Sequence, residues 1–134
     1  MTEHIPPELN IAFARSQWIN INGPLAIGKR PVLLDIWDYT CVNCLRGLPY
    51  IQTWQQRYAE HGLQVIGVHA PAFAFGRELT QVELAVSELN IAYPVVLDNR
   101  FAVWQALDNA FWPARYLIDA EGCIRYRHTG EGLY

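Results

Sequence analysis

Residues 32–44 read VLLDIWDYTCVNC, a hydrophobic run that is followed, after a few polar residues, by the cysteines Cys41 and Cys44. The first six residues, 32–37, are almost all apolar and rich in residues that favour strands. Such a run is typical of a central strand that is covered on both faces. Asp35 is the exception within it.

A helix is predicted to follow this strand, from about residue 41 to residue 60, because apolar side chains recur there at helical spacing. Pro49 lies inside the pattern and predicts a kink. Residues 63–68 are a second run of β-branched residues and are predicted to form a second buried strand. The result is a strand–helix–strand unit with parallel strands and a right-handed crossover.

The remaining chain predicts an α/β fold with a mixed central sheet flanked by helices. Residues 1–15 are interpreted as a lead-in segment and residues 16–134 as the domain. Beyond the strand–helix–strand unit, the expected elements are a strand over 16–21 with Trp18 and Ile21 buried, a turn over 22–24, a helix over 81–89 capped by Thr80, a strand over 94–97, a helix over 99–107 and a hairpin over 114–118 and 123–128.

Length and composition limit the classes of function. The 134 residues suit one domain, 51% of them are hydrophobic, and the net charge of −3 comes without a basic stripe that would indicate nucleic-acid binding. No apolar run is long enough to span a bilayer, so no membrane insertion is expected. With Met1 as the native start, the expected location is cytoplasmic; for a chain cut from a longer protein it is extracytoplasmic.

The two cysteines are spaced as C-x-x-C at the start of a predicted helix, where unpaired N–H groups and the helix dipole favour an anion. Cys41 is therefore expected to carry thiolate character, and the thiolate is the attacking species in disulfide exchange. Cys44, almost one turn later and more buried, is expected to resolve the mixed disulfide. Two alternatives stay open at this point: half of a zinc site completed by Cys123 and His128, or two structural cysteines.

The run LLDIWDYTCVNCLRGLP (residues 33–49) resembles the active-site segment of the thioredoxin superfamily. The resemblance places Asp35 where the superfamily keeps a buried acid that assists proton transfer, although an incidental hydrogen-bonded acid is the alternative. Pro49 falls where the superfamily kinks its active-site helix. FWPARYLID (residues 111–119) resembles the cis-proline segment, which makes Pro113 the candidate cis-proline.

The finer resemblance is to the TlpA-like, redoxin branch, and it extends over residues 16–134. WDYTCVNCLR, VIGVHAPAF and RHTGEG look like thioredoxin-like domains attached to membrane electron carriers or to NHL-repeat proteins. By this resemblance Trp112 and Pro113 help to hold an extended substrate strand. Trp37 and Tyr39 are interpreted either as substrate-facing aromatics or as packing at the rim of the site.

Other polar residues near the site are assigned structural roles. Asp38 is expected to be a loop acid and His69 a histidine satisfied within the structure. The sequence also departs from the superfamily in two ways. The pair between the cysteines is Val42–Asn43 instead of Gly–Pro, which leaves the direction of electron flow open. The superfamily's final helix is apparently missing, which suggests either a missing C-terminal segment or a homodimer that covers the exposed sheet.

The sequence thus predicts a thiol–disulfide oxidoreductase whose catalytic residues are Cys41, Cys44 and Asp35, with no metal and no cofactor. Its expected partners are a disulfide-containing protein substrate and a recycling thiol donor. Two other functions are kept: a peroxiredoxin-like peroxide reductase, since Thr40 precedes Cys41, and a non-catalytic binding module of thioredoxin fold.

Overall fold

A single mixed sheet organises the residues that the computed structural model describes, which are 3–21, 25 and 27–130. The predicted turn at residues 22–24 lies outside them. The elements follow in this order: β1 (Glu3–His4), α1 (Pro7–Arg15), β2 (Gln17–Ile19), β3 (Val32–Trp37), α2 (Val42–Tyr58), a 3-10 turn (Ala59–His61), β4 (Gln64–His69), a 3-10 turn (Ala74–Arg77), α3 (Leu79–Glu88), β5 (Val95–Leu97), α4 (Ala102–Ala106), β6 (Ala114–Ile118) and β7 (Cys123–Thr129).

The strands are arranged in the order β1-β7-β6-β3-β4-β5-β2. β3 and β4 are parallel, as are β4 and β5, whereas β6 runs antiparallel to β3. The predicted strand–helix–strand unit and the hairpin are therefore confirmed. β3 lies at the centre of the sheet, and this explains why its residues are apolar on both faces.

Side chains of β3 alternate between two hydrophobic cores. Leu34 and Ile36 pack on one face with α1 and α4, and Leu33 and Trp37 pack on the other with α2 and α3. Asp35, two residues from both Leu33 and Trp37, consequently faces the same side as α2. This places the one carboxylate of the strand beneath the helix that carries Cys44.

The N-terminal residues interpreted as a lead-in form regular structure that packs on the sheet. Leu9, Ala12 and Phe13 of α1 are buried in the first core, and β1 pairs with β7 at the sheet edge. The segment is short, so the packing of its helix on the sheet could not be predicted from the sequence pattern. The domain boundary at residue 16 stays a prediction.

Two local expectations are wrong. α3 begins at Leu79 with Glu78 as its N-cap residue, and no side-chain cap hydrogen bond forms, so Thr80 lies inside the helix instead of capping it. Ile21 is exposed and not buried, because β2 ends at Ile19. Trp18 is partly buried, and its Nε1 donates to the carbonyl of Phe13 at 2.8 Å. The helix α2 continues through Pro49; the kink stays a prediction.

An apolar groove of about 420 Å³ opens on the α2 side of the sheet, over β6 and β7. Its walls include Leu33, Trp54, Tyr58, Leu117 and Tyr126. This is the face on which the resemblance places a final helix. A covering C-terminal segment or a second copy of the chain stays a prediction. Within the described residues, no helix is both long and apolar enough to span a bilayer.

Candidate active site

Cys41 and Cys44 occupy the N-cap and the third position of helix α2. The Cys41 backbone is extended, and its Sγ accepts a hydrogen bond from the backbone N–H of Cys44 at 3.2 Å. This contact satisfies an N–H group that would otherwise lack a partner at the helix start. The C-x-x-C spacing is therefore the spacing of a helix cap.

The two thiols differ in access to solvent. Cys41 is half-buried, whereas Cys44 is only 3% exposed; both are free thiols. Burial, followed by the contact with the Cys41 thiol, raises the pKa of Cys44 above its ordinary value. Cys41 is thus the sulfur that a substrate can reach, and Cys44 needs a proton acceptor before it can react.

Asp35 is 2% exposed and has a partner that the sequence analysis missed. Arg115 of β6 lies directly opposite it in the strand register, and its Nε donates to Asp35 Oδ1 at 3.3 Å. Burial raises the pKa of Asp35 to about 6, and the charge and hydrogen bond of Arg115 oppose that rise. A signal existed: Arg115 is the single charged residue of an otherwise apolar strand, two residues after Pro113.

Asp38 lies in the loop after β3, as predicted, and its side chain is buried. It lies just beyond β3, where Thr40 donates its backbone N–H (3.2 Å) and its hydroxyl to Oδ2. His69 at the end of β4 lies with Nε2 at 3.3 Å from Oδ1. Burial works against ionisation of Asp38, but the neighbouring His69 ring and the hydrogen bonds from Thr40 outweigh it and lower its pKa.

His69 is fully buried, as expected of a structural histidine, but its Nδ1 has no hydrogen-bond partner among the described residues, so it is satisfied only in part. Its Nε2 also accepts the backbone N–H of Tyr39 at 3.2 Å, and its ring packs between Trp37 and Tyr39. The end of β4 therefore fixes the turn that leads from β3 into Cys41. The position of the cysteine pair depends on this buried polar cluster.

The two aromatic residues proposed as substrate-facing separate in the structure. Trp37 is 2% exposed and packs edge-on against His69 with 5.0 Å between ring centroids, so it does not face a substrate. β3 is covered on both faces, and every side chain of the strand is buried. Tyr39 is partly exposed and stacks on His69 at 5.4 Å, so it stays a candidate.

The Trp112–Pro113 peptide bond is cis, as the sequence predicts. Pro113 precedes Ala114, which pairs with Ile36 near the end of β3. The proline therefore lies at the same end of the strands as the turn that leads to Cys41. Trp112 Nε1 donates to the carbonyl of Ala70 at 2.8 Å. This bond ties the loop before β6 to the loop after β4.

Four exposed apolar side chains lie in the segments that connect the strands at this same end of the sheet. They are between 53% and 61% exposed. We call them the apolar rim: Val42 at the start of α2, Phe73 and Phe75 after β4, and Phe111 before the cis bond. Phe73 and Phe75 stack on each other at 5.5 Å, and Phe75 contacts Tyr39 at 6.3 Å. Exposed apolar residues concentrated beside a reactive thiol indicate a surface for binding.

Cys123 lies at the opposite end of the strands from Cys41. It follows the β6–β7 turn and is cross-strand to His4, with Sγ 3.5 Å from Nδ1 of that residue. His128 is five strand residues farther along β7, roughly 16 Å away at the usual rise per residue. Over the described ranges, no group of three or more His, Cys, Asp or Glu residues is arranged to hold a metal ion.

Comparison with known proteins agrees with this geometry. The sequence profile of the redoxin family matches residues 25–133. The fold is similar to that of a thioredoxin-like protein solved in its oxidised form, with a TM-score of 0.83 at 23% identity, covering 98% of this chain and 86% of that one. The predicted thioredoxin-like fold and superfamily are thereby confirmed.

Relatives with curated names include long and short proteins. The chain is 43% identical to protein DipZ of Mycobacterium tuberculosis over 122 residues, and 31% identical to NHL repeat-containing protein 2 of Homo sapiens over 121 residues. These matches cover 87% of this chain but only 18% and 17% of those proteins. The thiol-disulfide oxidoreductase YkuV of Bacillus subtilis is 26% identical over 126 residues, which cover 92% of this chain and 82% of YkuV.

Proposed function

The chain belongs to the redoxin family, and from that membership we propose that it is a thiol–disulfide oxidoreductase that exchanges disulfides with protein substrates through Cys41 and Cys44. The observation that carries the proposal is the asymmetry of the pair. An accessible Sγ at a helix N-cap accepts the N–H of a buried second cysteine, so one thiol is built to attack and the other to resolve.

In the first step the Cys41 thiolate attacks one sulfur of a substrate disulfide. The substrate S–S bond breaks, a mixed disulfide to Cys41 forms, and the other substrate sulfur leaves as a thiolate. The N–H of Cys44 supports the attacking anion before the step. The helix dipole acts in the same direction.

In the second step Cys44 must lose its proton, because the buried thiol has a raised pKa. Asp35 faces the same side of the sheet, and its charge acts on Cys44. With a pKa of about 6, its carboxylate is suited to accept a proton near neutral pH. The Cys44 thiolate then attacks Cys41 Sγ, the mixed disulfide breaks, and the second substrate thiolate leaves.

One round transfers two electrons to the substrate and leaves a Cys41–Cys44 disulfide. A thiol donor reduces that disulfide by the same exchange in reverse. With the opposite partners the site oxidises a dithiol, so the geometry supports both directions. No metal or organic cofactor enters either step. The compartment that sets the direction stays a prediction.

Substrate binding is proposed at Trp112, Pro113 and Tyr39, together with the apolar rim. Tyr39 precedes the cysteine turn and packs against the rim through Phe75. The loop of Trp112 is fixed by the bond to Ala70. Side chains held in this way form a firm surface at low entropic cost, which favours an extended apolar segment of a protein over a small disulfide.

The proposal is tested by reduction of insulin in the presence of dithiothreitol. The wild-type protein is expected to accelerate the reaction, and Cys41→Ser is expected to abolish the acceleration. Cys123→Ser is the matched control, because this buried thiol lies at the opposite end of the strands from Cys41. It should retain wild-type activity. Equal activity of wild type and Cys41→Ser would overturn the proposal.

Three further measurements separate the proposed function from the alternatives. Cys44→Ser should accumulate a mixed disulfide with insulin, which mass spectrometry detects. Consumption of hydrogen peroxide at a rate far above disulfide reduction would favour the peroxide reductase. Binding of a partner that is unaffected by Cys41→Ser, without any exchange activity, would favour the binding module.

A further inference from the structure

We propose that Arg115 is a positioning residue for the resolving step: its guanidinium holds the Asp35 carboxyl in the orientation and charge state that receive the proton of Cys44. The inference rests on the proposed function and adds a residue to it. Arg115 touches neither thiol in this role; it acts through Asp35.

The two residues are held together by the sheet itself. Asp35 of β3 and Arg115 of β6 are cross-strand partners in an antiparallel ladder, which brings their side chains to the same face. Both are more than nine-tenths buried, and Nε lies 3.3 Å from Oδ1. The Nε–H therefore donates to one carboxyl oxygen from a fixed direction, and the positive charge favours the ionised carboxylate.

Each element packed around Asp35 contributes a distinct group. Tyr93, before β5, is buried and is influenced electrostatically by both Asp35 and Arg115. Helix α2 contributes Cys44, whose ionisation the Asp35 charge opposes. The parallel strand β4 contributes Gly67, which has no side chain. Among the described residues, Arg115 is thus the cation that acts on this carboxyl.

Gly67 keeps this space open. A Cβ atom there would lie 3.1 Å from Trp37 Nε1 and 3.2 Å from Tyr93 Cε1. A cationic side chain at position 67 would therefore displace the aromatic rings. The charge comes instead from the antiparallel neighbour, β6.

The chemical consequence follows from two opposing effects. Burial favours the protonated form of Asp35, and a protonated carboxyl cannot accept the proton of Cys44. Arg115 lowers the pKa of Asp35 toward about 6, where the carboxyl both takes up and releases a proton. Without Arg115 the carboxyl is expected to ionise only at higher pH, and the resolving step should shift with it.

The test is the pH profile of each exchange step, measured separately in Arg115→Met and Arg115→Lys. The first step is followed as mixed-disulfide formation in a Cys44→Ser background. The second step is followed as release of the substrate from the mixed disulfide in proteins that keep Cys44. Arg115→Met should move the midpoint of the release profile about one unit upward, which slows release about twofold at pH 7 and about tenfold well below the midpoint. Mixed-disulfide formation should stay within about twofold of wild type. Arg115→Lys should recover most of the release rate.

Arg125→Met is the matched control, because Arg125 of β7 makes an exposed ion pair with Asp119; its profile should match wild type. Combining Arg115→Met with Asp35→Asn should give no shift beyond that of Asp35→Asn alone, since the arginine acts through the carboxylate. If Arg115→Met does not fold, Arg115→Gln replaces it and must show the same shift.

An unchanged release profile in folded Arg115→Met, or in its replacement Arg115→Gln, would overturn the inference while leaving the exchange reaction intact. The proposed function itself fails only if the wild-type protein shows no exchange through Cys41. The two failures are therefore distinguishable in one set of measurements.

Discussion

The backbone N–H of Cys44 donates to the sulfur of Cys41 at 3.2 Å, so the first cysteine caps the helix that contains the second. In most helices this position belongs to the oxygen of Ser, Thr, Asp or Asn. With sulfur in the role, the same bond that begins α2 also supports the anion needed for attack. Local structure and reactivity depend here on one contact.

Selective alkylation should separate the two thiols. With iodoacetamide at pH 7.5, Cys41 is expected to react at least about tenfold faster than Cys44, because Cys44 is buried and its pKa is raised. Mass spectrometry of peptides after timed quenching measures both rates. Cys123, also buried, serves as the internal reference for slow modification. Equal rates at Cys41 and Cys44 would contradict the assigned order of attack.

Asp35 should give the protein a distinctive dependence of stability on pH. Its pKa is raised from 3.8 to about 6 on folding, so the folded state binds more protons than the unfolded state between these values. Its contribution to stability is therefore greatest below pH 4 and falls as pH rises through 6, by about 3 kcal/mol in total.

Urea unfolding of wild type and Asp35→Asn from pH 4 to pH 8 measures this contribution. The difference in unfolding free energy between the two proteins should change by about 3 kcal/mol over the range, in the direction that favours wild type at low pH. A difference that is constant with pH would show that the carboxyl does not titrate there.

Gly67→Ala should destabilise the fold although the backbone conformation at this position suits any residue. The added Cβ would lie 3.1–3.3 Å from Trp37, Tyr93 and Val95, which are all buried. Overpacking of this kind costs about 1–3 kcal/mol. The midpoint of urea unfolding measures it, and an unchanged midpoint would mean that the rings move aside at no cost.

The apolar rim should matter for protein substrates and not for small ones. Replacing Phe73 and Phe75 together by serine is expected to raise KM for insulin about fivefold, because apolar area that a protein chain would cover is lost. Activity toward glutathione disulfide should be unchanged. Leu84→Ser, at an equally exposed site on α3, is the control and should leave both activities unaltered. An equal loss of activity toward insulin and glutathione disulfide would indicate that the substitutions disturb the cysteine pair and not the binding of protein substrates.

Several features of the site could be predicted because they are local in sequence. The cysteine spacing, the strand before it and the helix after it lie within 30 residues, and each has its own periodic signal. The cis bond at Pro113 was predicted from a motif resemblance, and the structure confirms it. The burial of Cys44 follows from its position on the inner side of a helix.

Other features depend on residues far apart in the chain. Asp38 is a loop acid, as the sequence predicts, but the sequence does not predict that His69 and Thr40 enclose it. Trp37 was a candidate for substrate contact, but α2 and α3 cover its face of the sheet. Hydrophobic patterning indicates that a residue lies in a strand; it does not indicate which distant polar groups will meet it.

By itself, the sequence determined the α/β order, the placement of Cys41 and Cys44 at the start of a helix and the buried acid before them, because strand and helix periods and helix capping act over a few residues. The tertiary structure alone decided that Arg115 meets Asp35, 80 residues away. That contact comes from the antiparallel register of β3 and β6, and register is fixed by packing of whole sheet faces. Cys41 and Cys44 were thus evident from local spacing, whereas the charge that sets the behaviour of Asp35 was not.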